Sequence, residues 1–356
     1  MPLKAKWSAC AIAAAAALTF GSAASVMAAE GGRLLETGSS LLYPLFNLWV
    51  PAYTKTHQVQ ITTQSTGSGT GIAQSISGIA QIGSSDAYLS NALMKKNPGM
   101  LNIPLAISSQ MVNYNVPGLN GQHLKLSGPV LAGIYEGKVT KWNDPEIARI
   151  NPGVKLPDHT IVPIHRTDGS GDTFIFTQYL SDSDPQWGKT LAYGTTVNWP
   201  SVSGELGAEG NQGMVNTLKQ TQYSVAYIGV SFENIINQDE LGEAALGNRD
   251  GKFVLPSDKT VQAAANGMVA KTPKDERISL IFAPGAESYP IINYEYGIVH
   301  AKQPNAGTAK ELKAFLTWAI SEKGGNAEEF MQKVHFVALP DSVRKLSDAQ
   351  INKIHG

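Results

Sequence analysis

Cysteine is nearly missing. The one cysteine among 356 residues is Cys10, and it lies in a leader expected to be removed. The mature chain can then hold no disulfide, no thiolate metal site and no cysteine nucleophile. Cys10 also precedes the apolar run of the leader rather than following it, the wrong order for lipid attachment. A membrane-crossing run is missing too, since the apolar stretch 9–20 is shorter than the ~20 residues a span needs. Basic charge is scarce. The formal net charge is −1, and without Lys4 and Lys6 it becomes −3. That excludes nucleic acid, which asks for a basic stripe, and no overall field draws an anion inward. Repeats, heptads and low-complexity tracts beyond the leader do not occur.

The usual catalytic signatures are absent as well. There is no G-x-S-x-G elbow and no H-E-x-x-H pair. Gly188-Lys189-Thr190 ends like a phosphate-binding Walker loop, but Ser183 stands where its first glycine is required. Gly67-Ser68-Gly69-Thr70-Gly71 does not have the dinucleotide spacing. His159 and His165 are six apart with no metal-type cluster around them. No nucleophile with a base in reach can be named, so the reading is of a non-enzyme with no catalytic residue, no metal and no cofactor.

What is present begins with an export signal. Lys4 and Lys6, the apolar run and Val26-Met27-Ala28 form a secretory signal peptide over residues 1–28, cleaved near Ala28 or Ala29. The remaining length of about 328 residues exceeds what one core serves and predicts two domains. Three segments share one pattern of strand, glycine or serine turn, and helix. The first is Leu34 to Trp49, with Ser40 as the expected N-cap and Pro44 in the first helical turn. The second is Val59 to Ile76, turning at Gly67-Ser68-Gly69. The third is Arg166-Thr167-Asp168-Gly169-Ser170-Gly171-Asp172, which leads into an apolar helix from Phe174. Helix starts present unpartnered N–H groups and the positive end of a dipole. Arg166 adds a two-pronged fork matched to an oxoanion. Ile79 to Ser85 reads as a strand ending in Asp86, a position where ligands gather in α/β folds. The stretch 195–213, rich in Gly, Ser and Asn, reads as surface loop. Ser108–Val116 and Ile291–Val299 read as extended and half apolar, two passes between lobes.

Taken in order, Ser40, Ser68, Asp86 and the Arg166 loop resemble the periplasmic phosphate-binding proteins, the PstS-type receptors of the bacterial high-affinity phosphate ABC transporter. The likeness covers nearly the whole mature chain. It includes Thr37-Gly38-Ser39-Ser40, Gly67-Ser68-Gly69, Ser85-Asp86-Ala87, Ile134-Tyr135-Glu136-Gly137-Lys138, Lys141-Trp142, Asn151-Pro152-Gly153 and Leu339-Pro340-Asp341-Ser342-Val343. The resemblance implies an α/β, two-lobed periplasmic-binding-protein fold of type II, with two hinge strands and the ligand in the interlobe cleft. Lobe I would comprise residues 29–112 and 293–356, lobe II residues 113–292. It implies contacts to inorganic phosphate from Ser39, Ser40, Leu41, Ser68, Asp86, Arg166, Ser170, Gly171 and Asp172, with Asp168 holding Arg166 from behind. It further implies a periplasmic monomer that delivers phosphate to an inner-membrane ABC permease and its ATPase. Asp172 departs from the family pattern, in which threonine is frequent at that position.

The chemistry suits a proton-bearing anion. A carboxylate only accepts hydrogen bonds, so Asp86 can accept from phosphate, which keeps an O–H at neutral pH, and must repel sulfate. Asp172 is expected either to take a second phosphate proton or to cap its helix. Two alternatives stand beside this reading: a same-fold receptor for another tetrahedral oxoanion, and a secreted phosphatase.

Overall fold

The computed structural model describes residues 32–356; the signal segment with Cys10 lies outside the described residues. Strand β1 (Arg33–Gly38) turns at Ser39 and Ser40 into helix α1 (Tyr43–Thr54). Pro44 sits in the first turn, where a missing N–H costs no helical bond. The hydroxyl that caps this start is Ser39, not the expected Ser40: Ser39 Oγ accepts from the N–H groups of Leu41 and Leu42, both at 3.1 Å. Helix α1 buries Leu45, Phe46, Trp49 and Tyr53. Phe46 and Trp49 meet edge to face at 5.4 Å, and Trp49 Nε1 donates to the Gly325 carbonyl at 2.8 Å, so this large apolar group is buried with its polar atom partnered.

Strand β2 (Gln60–Ser65), helix α2 (Ser68–Ile76) and strand β3 (Ile82–Ser85) complete a first unit. After the long strand β4 (Met100–Asn115), strand β5 (Val162–Arg166) and helix α3 (Gly171–Ser183) open a second unit. It continues through β6 (Leu206–Ala208), α4 (Gly210–Gln220) and β7 (Ser224–Gly229). The short strand β8 (Gly242–Glu243) follows, then β9 (Ile292–His300), α5 (Ala306–Ala319) and α6 (Asp341–Ile351). The stretch 195–213, expected to be surface loop, therefore contains β6 and the start of α4; its glycines and asparagine build a strand end and a helix start rather than a solvated connection.

One sheet orders these strands as β2-β1-β3-β9-β4-β7-β5-β6, with β8 on β4. Each outer trio is parallel. The central strands β9 and β4 run antiparallel to each other and to their outer neighbours. In each trio the chain leaves the middle strand, passes through a helix to the outer strand, and returns through a second helix to the inner one. The order therefore reverses at β1 and again at β5. Such switch points open a crevice at the carboxyl ends of the strands, and both crevices fall in the loops with the sequence patterns described above.

Strand β4 belongs to both halves. It pairs with β9 from Met100 to Ser109, then with β7 from Gln110 to Asn115. All but its last residue are buried. Pro104 has no N–H for a ladder, and the register shifts there: Glu295 faces Ala106 while Tyr296 faces Pro104. The bulge that absorbs the proline changes the aim of the side chains beside it.

Candidate functional site

The carboxyl ends of five strands converge. From the first trio come Ser39 and Ser40 after β1, Ser68 at the start of α2, and Asp86 after β3. From the second come Arg166 at the end of β5, Ser170 to Asp172 at the start of α3, and Asn211 in the first turn of α4. Ser39, Ser40, Ser68, Asp86, Arg166, Ser170, Asp172 and Asn211 are each at most 4 % exposed. Nearly all of their polar atoms face one another.

Asp86 is the acceptor in the first half. Ser39 Oγ donates to Asp86 Oδ1, and Ser68 Oγ donates to Asp86 Oδ2 at 3.4 Å. The Asp86 N–H returns a bond to Ser68 Oγ at 3.3 Å. Both serine–aspartate bonds at Ser68 are long, so that hydroxyl is held loosely. Burial, then the adjacent Glu295 and Asp172, raise the Asp86 carboxyl well above the ordinary range. Helix capping of the next segment falls to Ser90, whose side chain accepts from Leu93 N, not to Asp86.

Arg166 is the one guanidinium of the cluster. Its Nε donates to Asp168 Oδ1 at 2.6 Å and its Nη2 to Asp168 Oδ2 at 2.5 Å. Its Nη1 donates to Asp172 Oδ2 at 2.6 Å. Those three bonds use three of five donors and leave one hydrogen on each terminal nitrogen. Burial works against Asp168 being ionised, yet its bonds from Arg166 hold it below the usual carboxylate range.

Asp172 has more partners than the sequence disclosed. Besides Arg166, Asn211 Nδ2 donates to its Oδ2 at 2.8 Å and Gln110 Nε2 to its Oδ1 at 3.1 Å. It does not cap α3. That role belongs to Ser170, whose Oγ accepts from Thr173 N at 3.1 Å. Burial pushes the Asp172 carboxyl up, and Arg166 opposes the shift.

Asn211 ties the halves together. Its backbone N–H and its Nδ2 both donate to Ser40 Oγ at 3.0 Å, and its Oδ1 accepts from Gly229 N at 2.8 Å. Ser40 Oγ thus accepts two bonds and keeps its own proton to give. The N–H of Leu41, by contrast, is engaged by Ser39. Two close backbone approaches complete the junction. Gly69 N donates to Gly169 O at 2.8 Å. A methyl group on Gly171 would lie 2.2 Å from Asp86 Oδ2 and 2.5 Å from Ser68 Oγ. Only glycine admits such contact.

Glu295 lies behind Asp86, fully buried. Its Oε1 accepts from Ser108 Oγ at 2.5 Å and from Asn293 Nδ2 at 3.1 Å. Burial foremost, with bonds from its neighbours opposing, takes its pKa to about 7. Sequence reasoning missed Glu295, Asn211 and Gln110. His165, near the end of β5, stacks on Trp199 with ring centres 5.1 Å apart.

A model of the "PBP superfamily domain" matches residues 23–323. The phosphate-binding protein PstS of Methanocaldococcus jannaschii is 35% identical over 337 residues, 89% of this chain and 85% of that protein. The protein of the same name from Pasteurella multocida is 33% identical over 313 residues, 88% of each chain. Among solved structures, a high affinity periplasmic phosphate-binding protein bound with phosphate superposes with a TM-score of 0.71 at 19% identity, covering 89% of this chain and 93% of that one. A phosphate binding protein from Stenotrophomonas maltophilia gives 0.67 at 19% identity, with 89% and 93% covered. At that identity the two structures speak for the fold alone.

Proposed function

This chain belongs to the PBP superfamily and, within it, to the PstS phosphate-binding proteins, and from that membership we propose that it binds inorganic phosphate between the two strand trios and delivers it to an ABC importer. The observation that carries the reading is the convergence of Ser40, Ser68, Asp86, Arg166 and the α3 start from two sequence-distant crevices into one buried cluster.

Each group has a part. Arg166 offers its two remaining N–H groups to anionic oxygens. Ser40 and Ser68 offer hydroxyl protons, and the first turns of α2 and α3 offer N–H groups with no carbonyl partner inside their own helices. Ser170 and Gly171 bring that second helix start close. Asp86 accepts the phosphate O–H. Ser39 and the Leu41 N–H hold Asp86 and the turn in place rather than touching the ligand. Asp168 fixes the plane of the guanidinium, and Asp172 fixes its other side.

The cluster is not a positive pocket. Asp168 and Asp172 hold a single Arg166, and Asp86 and Glu295 add two more buried carboxyl groups. Affinity must come from neutral dipoles and one fork, and the carboxyl groups reject a guest that brings charge without a proton. The two halves move as lobes, residues 29–112 with 293–356 against 113–292, about the place where β4 changes partner. Closure is favoured because phosphate touches both lobes, and only such differential contact shifts a conformational equilibrium. On this reading the protein works in the periplasm as a monomer, with the membrane permease and its ATPase as partners; family membership and the expected export signal support it. We read the chain as a receptor rather than an enzyme, a reading supported by its relatives, which are named as phosphate-binding proteins.

Titration calorimetry with phosphate, arsenate, sulfate and molybdate at two pH values tests this. Phosphate and arsenate should bind and sulfate should give no heat. Equal binding of sulfate, or turnover of a chromogenic phosphate ester, would overturn it. A second expected result concerns closure. Gly171→Ala adds a methyl group into the contact with Asp86 and Ser68. Overpacking of ~1–3 kcal/mol should weaken phosphate binding by roughly tenfold to a hundredfold. The thermal midpoint of the ligand-free protein should change far less, because an open form relieves the clash.

A further inference from the structure

We propose that Asn211 is a positioning residue for the ligand site: reaching across the two halves, it occupies both lone pairs of Ser40 Oγ and so commits the Ser40 hydrogen to the bound anion. The proposal rests on the phosphate-binding reading above. It concerns a residue that sets a ligand-binding hydroxyl without itself holding the ligand.

The count of donors and acceptors carries the inference. A serine hydroxyl has one hydrogen and two lone pairs. Ser40 Oγ accepts from the Asn211 N–H and from Asn211 Nδ2, both at 3.0 Å. Its hydrogen goes to no acceptor among the described residues. Ser40 is buried, and a buried donor left unpaired is costly. An anionic oxygen between the halves satisfies it. A serine with a free lone pair can turn to accept; this one can only give.

The amide of Asn211 has no freedom of its own. Its Oδ1 accepts from Gly229 N at 2.8 Å, and Nδ2 gives its second hydrogen to Asp172 Oδ2 at 2.8 Å. The opposite orientation would set Oδ1 against the Asp172 carboxylate and Nδ2 against the Gly229 N–H. Asn211 is fully buried, and each polar group of its side chain is engaged.

The local structure shows why the other half is required. Helix α4 begins with N–H groups that have no carbonyl partner inside the helix. Glu209 stands at the N-cap and makes no side-chain bond there. The Gly210 N–H goes instead to Asp168 Oδ1 at 3.2 Å, and the Asn211 N–H goes to Ser40. The hydroxyl that caps α4 therefore comes from the turn after β1, far away in sequence. A neighbouring bond crosses the same junction, from Ser231 Oγ to the Leu41 carbonyl at 2.7 Å. Parting the halves breaks the two bonds to Ser40. It leaves those to Asp172 and Gly229, which lie in the same half as Asn211. Closure thus completes the α4 cap and aims the Ser40 hydrogen in one step.

Amide hydrogen exchange on the unmodified protein reads the cap directly. Inorganic phosphate should slow exchange of the Asn211 N–H by at least about tenfold more than it slows the amides in the middle of α4, which keep their helical partners in both forms. No slowing at Asn211, or equal slowing along the whole helix, overturns the proposal. Titration calorimetry with inorganic phosphate supplies the second readout. Asn211→Ala and Ser40→Ala should each weaken binding by at least ~10-fold. The double variant should lose at least ~5-fold less than the product of the two single losses, because Asn211 acts through a hydroxyl already removed. A residue that serves only the fold would give losses that multiply, and that result overturns the proposal. Asn211→Asp keeps the shape but turns the donor into an acceptor for the Ser40 hydrogen. It should bind phosphate more weakly than Asn211→Ala; binding within about threefold of the unmodified protein overturns the proposal. If the Asn211 variants do not fold, the exchange measurement still decides. If the unmodified protein binds no phosphate, the functional reading fails and the proposal falls with it, whereas phosphate binding with multiplying losses sinks the proposal alone.

Discussion

Asp86→Asn is expected to admit sulfate. In the unmodified protein sulfate would press a lone-pair oxygen against the buried carboxylate. An unpaired buried acceptor costs about 1–3 kcal/mol, more when charged, and the two like charges add to that. At ~1.4 kcal/mol per tenfold, phosphate should lead sulfate by three powers of ten or more. Asparagine keeps an oxygen for the Ser39 hydroxyl and replaces the other oxygen with an N–H donor. It can bond to an oxygen that carries no proton. The preference should collapse to within about tenfold, through sulfate gaining and phosphate losing an acceptor. Calorimetry with both anions checks it, and intact rejection of sulfate in the variant would sink the role given to Asp86.

Arg166→Ala is expected to reduce phosphate affinity by roughly a thousandfold or more, and to destabilise the ligand-free protein. Removing one partner of a buried ion pair costs ~3–5 kcal/mol, and here two carboxylates, Asp168 and Asp172, lose their cation together. Asp172 would be left with Gln110 and Asn211 alone and would take up a proton instead. Arg166→Lys separates the two effects. It restores charge but not the planar fork, which now serves Asp168 through two bonds and Asp172 through a third. The lysine variant should recover most of the stability while still binding about a hundredfold more weakly. A lysine variant with unchanged affinity would mean that the guanidinium serves the fold rather than the ligand.

Much of this architecture was legible in the sequence for a definite reason. Helix starts after glycine or serine turns announce themselves locally, so Ser40, Ser68 and the Arg166 loop could be found one at a time, and the family likeness put them in order. The capping role moved from Ser40 to Ser39 because cap geometry depends on one turn's dihedral angles, which composition does not report. Asn211 was hidden in a stretch that reads as solvated loop, and α4 begins with Glu209 as an N-cap without a side-chain bond. Glu295 was hidden differently. It stands in a strand that alternates in polarity, and polarity alone does not separate a carboxyl facing water from one buried against another acid. Gln110 marks the residue where β4 changes partner, a fact of sheet register that lies far from it in sequence.

The bond from Gly69 to Gly169 has one more consequence. It joins two backbones at a point where neither residue has a side chain, so drift in chemical character at either position cannot tune its strength. Only bulk can alter it, by keeping the two backbones from meeting. Side-chain chemistry can grade the surrounding hydroxyls and acids, while this one bond answers to sterics alone.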